Sequence, residues 1–188
     1  KVKRKSFVRI LTIGKFVDRK DFNLLINVLK KINKKYYLTI IGEQSTEQNK
    51  ILKEKLIKKI NIEKLSDKVE VRTNINFINI KKFFLKNDIF ILPSFNEPLS
   101  VSVLEAIGSG LPSICSDTCG TKFYISENYN GLIFKSQDPQ SLKRKIKFLL
   151  NRKKINQFSI NCYNYSVKNL SNQVFYNYFK NMINSKNE

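Results

Sequence analysis

An α/β fold is predicted, with a parallel sheet of about six strands and helices on both of its faces. Two observations predict it. Short apolar runs alternate along the chain with segments whose apolar residues recur at helical spacing, and strands joined through helices run parallel. Gly14, Gly42 and the pair Pro93 and Ser94 each follow directly after such a run. Their loops therefore share the carboxyl edge of the sheet, where ligands of open α/β sheets bind.

Residues 8–13 form the first strand. Residues 21–32 follow as a helix, with Phe22, Leu25, Ile26 and Leu29 on one stripe and Asp21 as N-cap. Residues 37–41 are the second strand. Residues 46–61 are a second helix, with Ile51, Leu52, Leu56 and Ile60 inward and most of its lysines outward. Residues 69–71 make a short third strand, 80–85 a short helix and 89–92 the fourth strand. An apolar, Ala-containing helix over 101–107 comes next, preceded by Pro98, which fits a first helical position because its missing N–H is no loss there. Residues 113–115 and 132–134 give strands five and six, and 142–150 a further helix. From residue 151 the chain is rich in Asn and Lys with scattered Tyr and Phe, and reads as one or two helices including 174–183. No internal repeat or linker-like run divides it. Residues 1–188 read as one domain, with a core over about 7–150 and C-terminal helices over about 151–185.

Composition narrows the chemistry. A hydrophobic content of 41% suits a globular fold and argues against disorder. No run approaches the roughly 20 apolar residues that cross a bilayer. No signal peptide is visible, and the three cysteines are too few and irregular for a disulfide framework, so the expected compartment is the cytoplasm. The chain does not open with Met and is expected to be a piece of something longer. Without His, a zinc site is not expected and a His general base is excluded. Cys115 falls in an apolar run and reads as a small core residue.

The net charge of +20 invites a nucleic-acid or membrane reading. Of the 35 basic residues 29 are Lys, spread over most of the predicted helices, whereas specific readers of nucleic acid favour Arg interleaved with aromatics. A solvated basic surface is the favoured reading. Attraction to an anionic membrane surface or an anionic substrate is the functional alternative, and no nucleic-acid partner is expected.

The segment 93–106, Pro-Ser-Phe-Asn-Glu-Pro-Leu-Ser-Val-Ser-Val-Leu-Glu-Ala, is the most informative in the chain. It places Glu97 just before a helix and Glu105 about two turns inside it. Between them the backbone N–H groups of Leu99, Ser100 and Val101 have no partners within the helix, an arrangement that receives phosphate. A carboxylate, an anion site and a second carboxylate in one strand-loop-helix unit suit a ligand with a central diphosphate and hydroxyl-rich sugars at both ends. Read blandly, Glu105 is a solvated helix carboxylate, and Lys15 and Lys20, on the loop after the first strand, are two of many surface lysines.

That segment resembles the signature of retaining, nucleotide-sugar-dependent glycosyltransferases of GT-B architecture, in particular family 4. Other pieces agree in order: 11–20 with the first strand and its phosphate-binding loop, 40–43 with the strand-Gly-acid turn, 88–94 with the strand before the glutamates, and 105–112 and 130–134 with later motifs. The resemblance covers roughly residues 7–150 and implies a Rossmann-like domain, the donor-binding half of such an enzyme, whose acceptor-holding N-terminal half is missing here. It implies transfer of a sugar, with retention, from a nucleotide diphosphate sugar to a hydroxyl acceptor in surface or lipid-linked glycan synthesis. Neither a cofactor nor a metal is implied, and peripheral placement at the inner membrane face fits.

By the same resemblance Lys15 and Lys20 act with Glu97 in catalysis, the lysines neutralising the departing diphosphate. Gly14, Glu97, Leu99, Ser100, Val101 and Glu105 bind the donor, Glu105 through the ribose. Thr73 and Asn74 meet the base, although an ordinary polar turn explains them equally well. The chain departs from the pattern in places. Lys15 replaces an Arg and loses its fork, and Arg19, next to Lys20, is able to substitute for one of the two lysines. Asp21 stands for a Gly, Leu99 for a Phe, Ser100 for a Gly, and Phe123 for a Glu. Two rivals stand beside this reading: a non-catalytic nucleotide-sugar-binding module, and a basic RNA-binding protein whose affinity would collapse with salt.

Overall fold

A computed structural model describes residues 7–174. Six strands form one parallel sheet in the order β3-β2-β1-β4-β5-β6. They are β1 (Val8–Ile13), β2 (Tyr36–Gly42), β3 (Val69–Thr73), β4 (Ile89–Leu92), β5 (Ser113–Ser116) and β6 (Gly131–Phe134). The first and fourth coincide with the predicted runs, and the others extend one or two residues beyond them. β1 pairs with both β2 and β4, so the strand order reverses between β1 and β4. The loops after these two strands face each other across that reversal.

The core is double because alternate side chains point to opposite faces of the sheet. Ile10, Leu38, Ile40, Ile89 and Ile91 pack on one face with Leu25, Ile26, Leu29, Leu56 and Ile146. Their neighbours Leu11, Ile41, Phe90 and Leu92 pack on the other, with Phe84, Val103, Ala106, Ile107 and Cys162. The first layer is supplied by α1 (Phe22–Leu29), α2 (Glu47–Ile62) and α5 (Pro139–Leu149), the second by α3 (Phe77–Lys86), α4 (Val101–Gly108) and α6 (Arg152–Asn169). Cys115, read as core, is fully buried.

Helix starts follow from their caps. Asp21 accepts from Leu24 N–H, as predicted, and α1 ends at Leu29, short of residue 32. Thr46 and Asn49 cap α2 reciprocally. Asp138 accepts from Gln140 and Ser141 ahead of the first residue of α5, Pro139. Two expectations are corrected. Ile51 points outward, on the exposed face of α2, while Leu56 and Ile60 are buried. Pro98 does not open α4, which starts at Val101 behind an extended Ser100. Of the helix expected over 174–183, all but Val174 lies outside the described residues.

Candidate functional site

At the carboxyl edge the loops after β1, β2 and β4 enclose a cleft of about 410 Å³, lined among others by Gly14, Lys15, Arg19, Lys20, Glu43, Asn74, Glu97, Leu99, Ser100 and Val101. Nine of the ten residues predicted for the site belong to two categories here: Gly14, Lys15, Lys20, Asn74, Glu97, Leu99, Ser100 and Val101 line the cleft, and Thr73 ends the strand from which Asn74 projects.

The loop after β1 is shaped by close packing. A Cβ on Gly14 would stand 2.8 Å from Lys20 Cε, so the glycine makes room for the lysine stem to lie across it. Lys20 is 7% exposed, and its ammonium donates to Glu97 Oε2 at 2.6 Å. Arg19 Nη1 donates to the same oxygen at 2.5 Å. Lys15 is apart from this cluster: its ammonium lies 3.3 Å from Glu43 Oε1, and both side chains are about half exposed. Asp21 has φ 44°, a left-handed backbone that glycine adopts freely and aspartate tolerates. At the Asp-for-Gly departure the backbone is thus one that a glycine would also adopt without strain.

Glu97 is held from behind. Its carbonyl accepts from Gly120 N–H at 2.8 Å, and it bridges Cys119 in an isolated parallel pairing. Gly120 sits so close that a Cβ there would be 1.7 Å from the carbonyl oxygen of Pro98. Pro98 therefore serves the turn rather than the helix. Phe95 N–H donates to Arg19 carbonyl at 2.9 Å, stitching the loop after β4 to the loop after β1. Burial alone would push the Glu97 carboxyl up, but the bonds from Arg19 and Lys20 outweigh it and hold it below the usual carboxylate range.

At the start of α4 the N–H groups of Leu99, Ser100, Val101 and Ser102 have no protein acceptor among the described residues. Ser100 and Ser102 share a hydroxyl contact of 2.9 Å beside them. Because α4 begins at Val101, Glu105 is its fifth residue, little more than one turn in rather than two. Glu105 lines a neighbouring hollow with Ile78, Ile80, Lys81, Phe84 and Ser109, and Ile80 is shared with the cleft. Burial raises the Glu105 carboxyl, and no cation pairs with it among the described residues. Asn74 exchanges hydrogen bonds with the backbone of Gln44, so it braces the turn after β2 while lining the cleft.

Sequence reasoning missed the bond from Arg19 to Glu97 and the support from Cys119 and Gly120. Both are contacts between distant segments, and only the adjacency of Arg19 to Lys20 gave a signal. Phe123, at a position where a glutamate was expected, is 82% exposed on a short 3-10 turn, with the Lys122 ammonium 5.3 Å from its ring centre. Among the described residues no group of three His, Cys, Asp or Glu is placed to hold a metal ion, and no helix is long and apolar enough to cross a membrane.

The sequence pattern described as Glycosyl transferases group 1 matches residues 1–165. A lipopolysaccharide core biosynthesis glycosyltransferase, LpsE of Rhizobium meliloti, is 24% identical over 141 residues, 73% of this chain and 38% of that protein. Among solved structures, Anabaena Alr3699/HepE in complex with UDP superposes with a TM-score of 0.85 at 14% identity, over 96% of this chain and 49% of the other. The C-terminal domain of a glycosyl transferase group 1 family protein, LpcC of Francisella tularensis, superposes with a TM-score of 0.78 at 20% identity, over 88% of this chain and 87% of that domain. The chain spans well under half the length of the curated relative.

Proposed function

The chain belongs to the glycosyl transferases group 1 family, with the fold of half a GT-B glycosyltransferase, and from that premise we propose that it is the donor-binding half of a retaining enzyme of family 4. The observation that carries the reading is the buried Lys20–Glu97 pair beside unpartnered N–H groups at the start of α4. Cations and N–H dipoles meet an anion, while the Glu97 carboxylate among them meets hydroxyl groups. A nucleotide diphosphate sugar offers both features side by side.

In this reading the N–H groups of Leu99, Ser100 and Val101 bind the diphosphate. Lys20, and Lys15 from the outer lip, neutralise the charge that develops as it leaves the sugar. Glu97 holds Lys20 in place and orients the sugar hydroxyls. Glu105 accepts from the ribose at the seam between the cleft and its neighbouring hollow, and Thr73 and Asn74 meet the base. HepE, a structural neighbour, is known bound to UDP, which makes uracil a first base to try. The likeness to LpsE supports a surface or lipid-linked glycan as the acceptor class. Buried free thiols at Cys115, Cys119 and Cys162 suit a reducing compartment. The acceptor half lies outside this chain, so the 188 residues alone bind donor and transfer nothing.

A thermal-shift panel of nucleotide sugars tests this. Binding to the folded state raises the melting temperature by linkage, about 2.7 kcal/mol at one hundred times the dissociation constant. A shift with at least one nucleotide sugar, absent in Glu97→Ala, is expected. A flat panel, or sugar transfer by the isolated chain, would refute it.

A further inference from the structure

We infer that Arg19, ahead of Lys15, is the side chain that grips the diphosphate, and that it does so by leaving Glu97. The inference rests on the donor-binding reading above.

Three cations line the cleft from one loop, and their situations differ. Lys20 is buried, its stem laid across Gly14, and its ammonium is fixed on Glu97 Oε2. Lys15 is more than half exposed at the outer lip and already faces Glu43. Arg19 is 43% exposed and spends only Nη1 on protein, on the same oxygen that Lys20 occupies. A guanidinium has five N–H donors, so four remain for a ligand.

Two cations on one carboxylate oxygen is one more than its charge requires. If Arg19 turns away, Glu97 keeps Lys20 and stays neutralised; if Lys20 turned away, its ammonium would be left buried. Arg19 is therefore the exchangeable partner. Its backbone is pinned by Phe95 N–H to its carbonyl, so only the side chain has to turn. A planar guanidinium offers two parallel N–H groups to a phosphate, which an ammonium cannot. Both cations sit on Oε2, so Glu97 Oε1 is open to the donor sugar before and after the swap.

The test is isothermal titration of the 188-residue chain with UDP, GDP, uridine, guanosine and inorganic pyrophosphate, for wild type, Arg19→Ala, Arg19→Lys and Lys15→Ala. Arg19→Ala should lose roughly tenfold or more in affinity for the nucleoside diphosphate and pyrophosphate, with nucleoside affinity unchanged. Arg19→Lys should recover only part of that, and Lys15→Ala should lose less. The phosphorus resonances of the bound diphosphate should move in Arg19→Ala, which a purely structural role would not cause. Affinity unchanged in Arg19→Ala, a larger loss in Lys15→Ala, or an equal loss for the nucleoside each overturns the inference alone. A wild-type chain that binds none of the probes overturns the donor-binding reading and this inference with it.

Discussion

Lys20 and Glu97 lie 77 positions apart in the chain and 2.6 Å apart in space, each less than a tenth exposed. The pair is asymmetric, because Glu97 has a second cation in Arg19 while Lys20 has no second anion among the described residues. Removing one partner of a buried pair strands the other. Glu97→Ala strands Lys20 and should cost about 3 kcal/mol in folding stability. Lys20→Met, whose stem still covers Gly14, should cost less than about 1 kcal/mol, since Arg19 keeps Glu97 neutralised. Urea unfolding of both variants checks the order, and a costlier Lys20→Met would show that Arg19 contributes nothing to the carboxylate.

Glu105 carries the opposite pH signature to Glu97. Its folded value is raised from 4.5 by burial, so the protonated form favours folding. That contribution is fully present below 4.5 and is lost as pH rises through the folded value. At neutral pH the unpaired carboxylate opposes folding, and Glu105→Gln should raise the melting temperature there while leaving it unchanged in acid. The same variant should weaken nucleotide diphosphate binding by roughly 1–3 kcal/mol. Melting curves and calorimetry on one preparation measure both. Stability gained with affinity untouched would remove Glu105 from the site.

The glycines divide by what a methyl group would meet. At Gly120 it would meet the Pro98 backbone carbonyl at 1.7 Å, so Gly120→Ala should cost about 3 kcal/mol or more and disturb the turn that holds Glu97. At Gly108 it would meet nothing within 4 Å on α4, so Gly108→Ala should stabilise by about 0.5–1 kcal/mol. Chemical denaturation of the two variants should give opposite signs.

Lys15 and Lys20 differ in exposure, and so should their salt dependence. Lys15→Ala should weaken binding of a nucleoside diphosphate modestly, with the loss vanishing toward 1 M salt, where the Debye length is about 3 Å. The loss in Lys20→Ala should persist, because a buried charge is poorly screened. Titrations at two salt concentrations decide it. Equal salt dependence would place the two ammonium groups in the same environment.

Local patterns made much of this molecule legible. The apolar run at Ile89–Leu92 is a fully buried strand as written, because a strand covered on both faces has no polar side to blur it, and Val8–Ile13 keeps its expected bounds in spite of Arg9 and Thr12. The cap at Asp21 was likewise readable from a short polar residue before an apolar stripe. Pro98 misled because a proline ahead of a helix fits its first position, and nothing local shows that its carbonyl packs against Gly120. The outward turn of Ile51 escaped for a related reason: apolar residues lie on several sides of α2, and only packing decides which face turns in. Glu97 and Lys20 were legible as residues but their contact was not, since it depends on β1 and β4 becoming neighbours across the reversal in strand order.

The hydrogen bond from Phe95 to the Arg19 carbonyl has a kinetic corollary. The segments it joins are brought together only when β4 docks on β1, a late and entropically demanding closure of a long intervening chain. No partly folded intermediate with β1, β2 and β3 alone can hold the anion. Ligand affinity should therefore appear during refolding in the same phase as the pairing of β4 with β1, and a bound nucleotide should protect the whole sheet, not just the loops, against proteolysis.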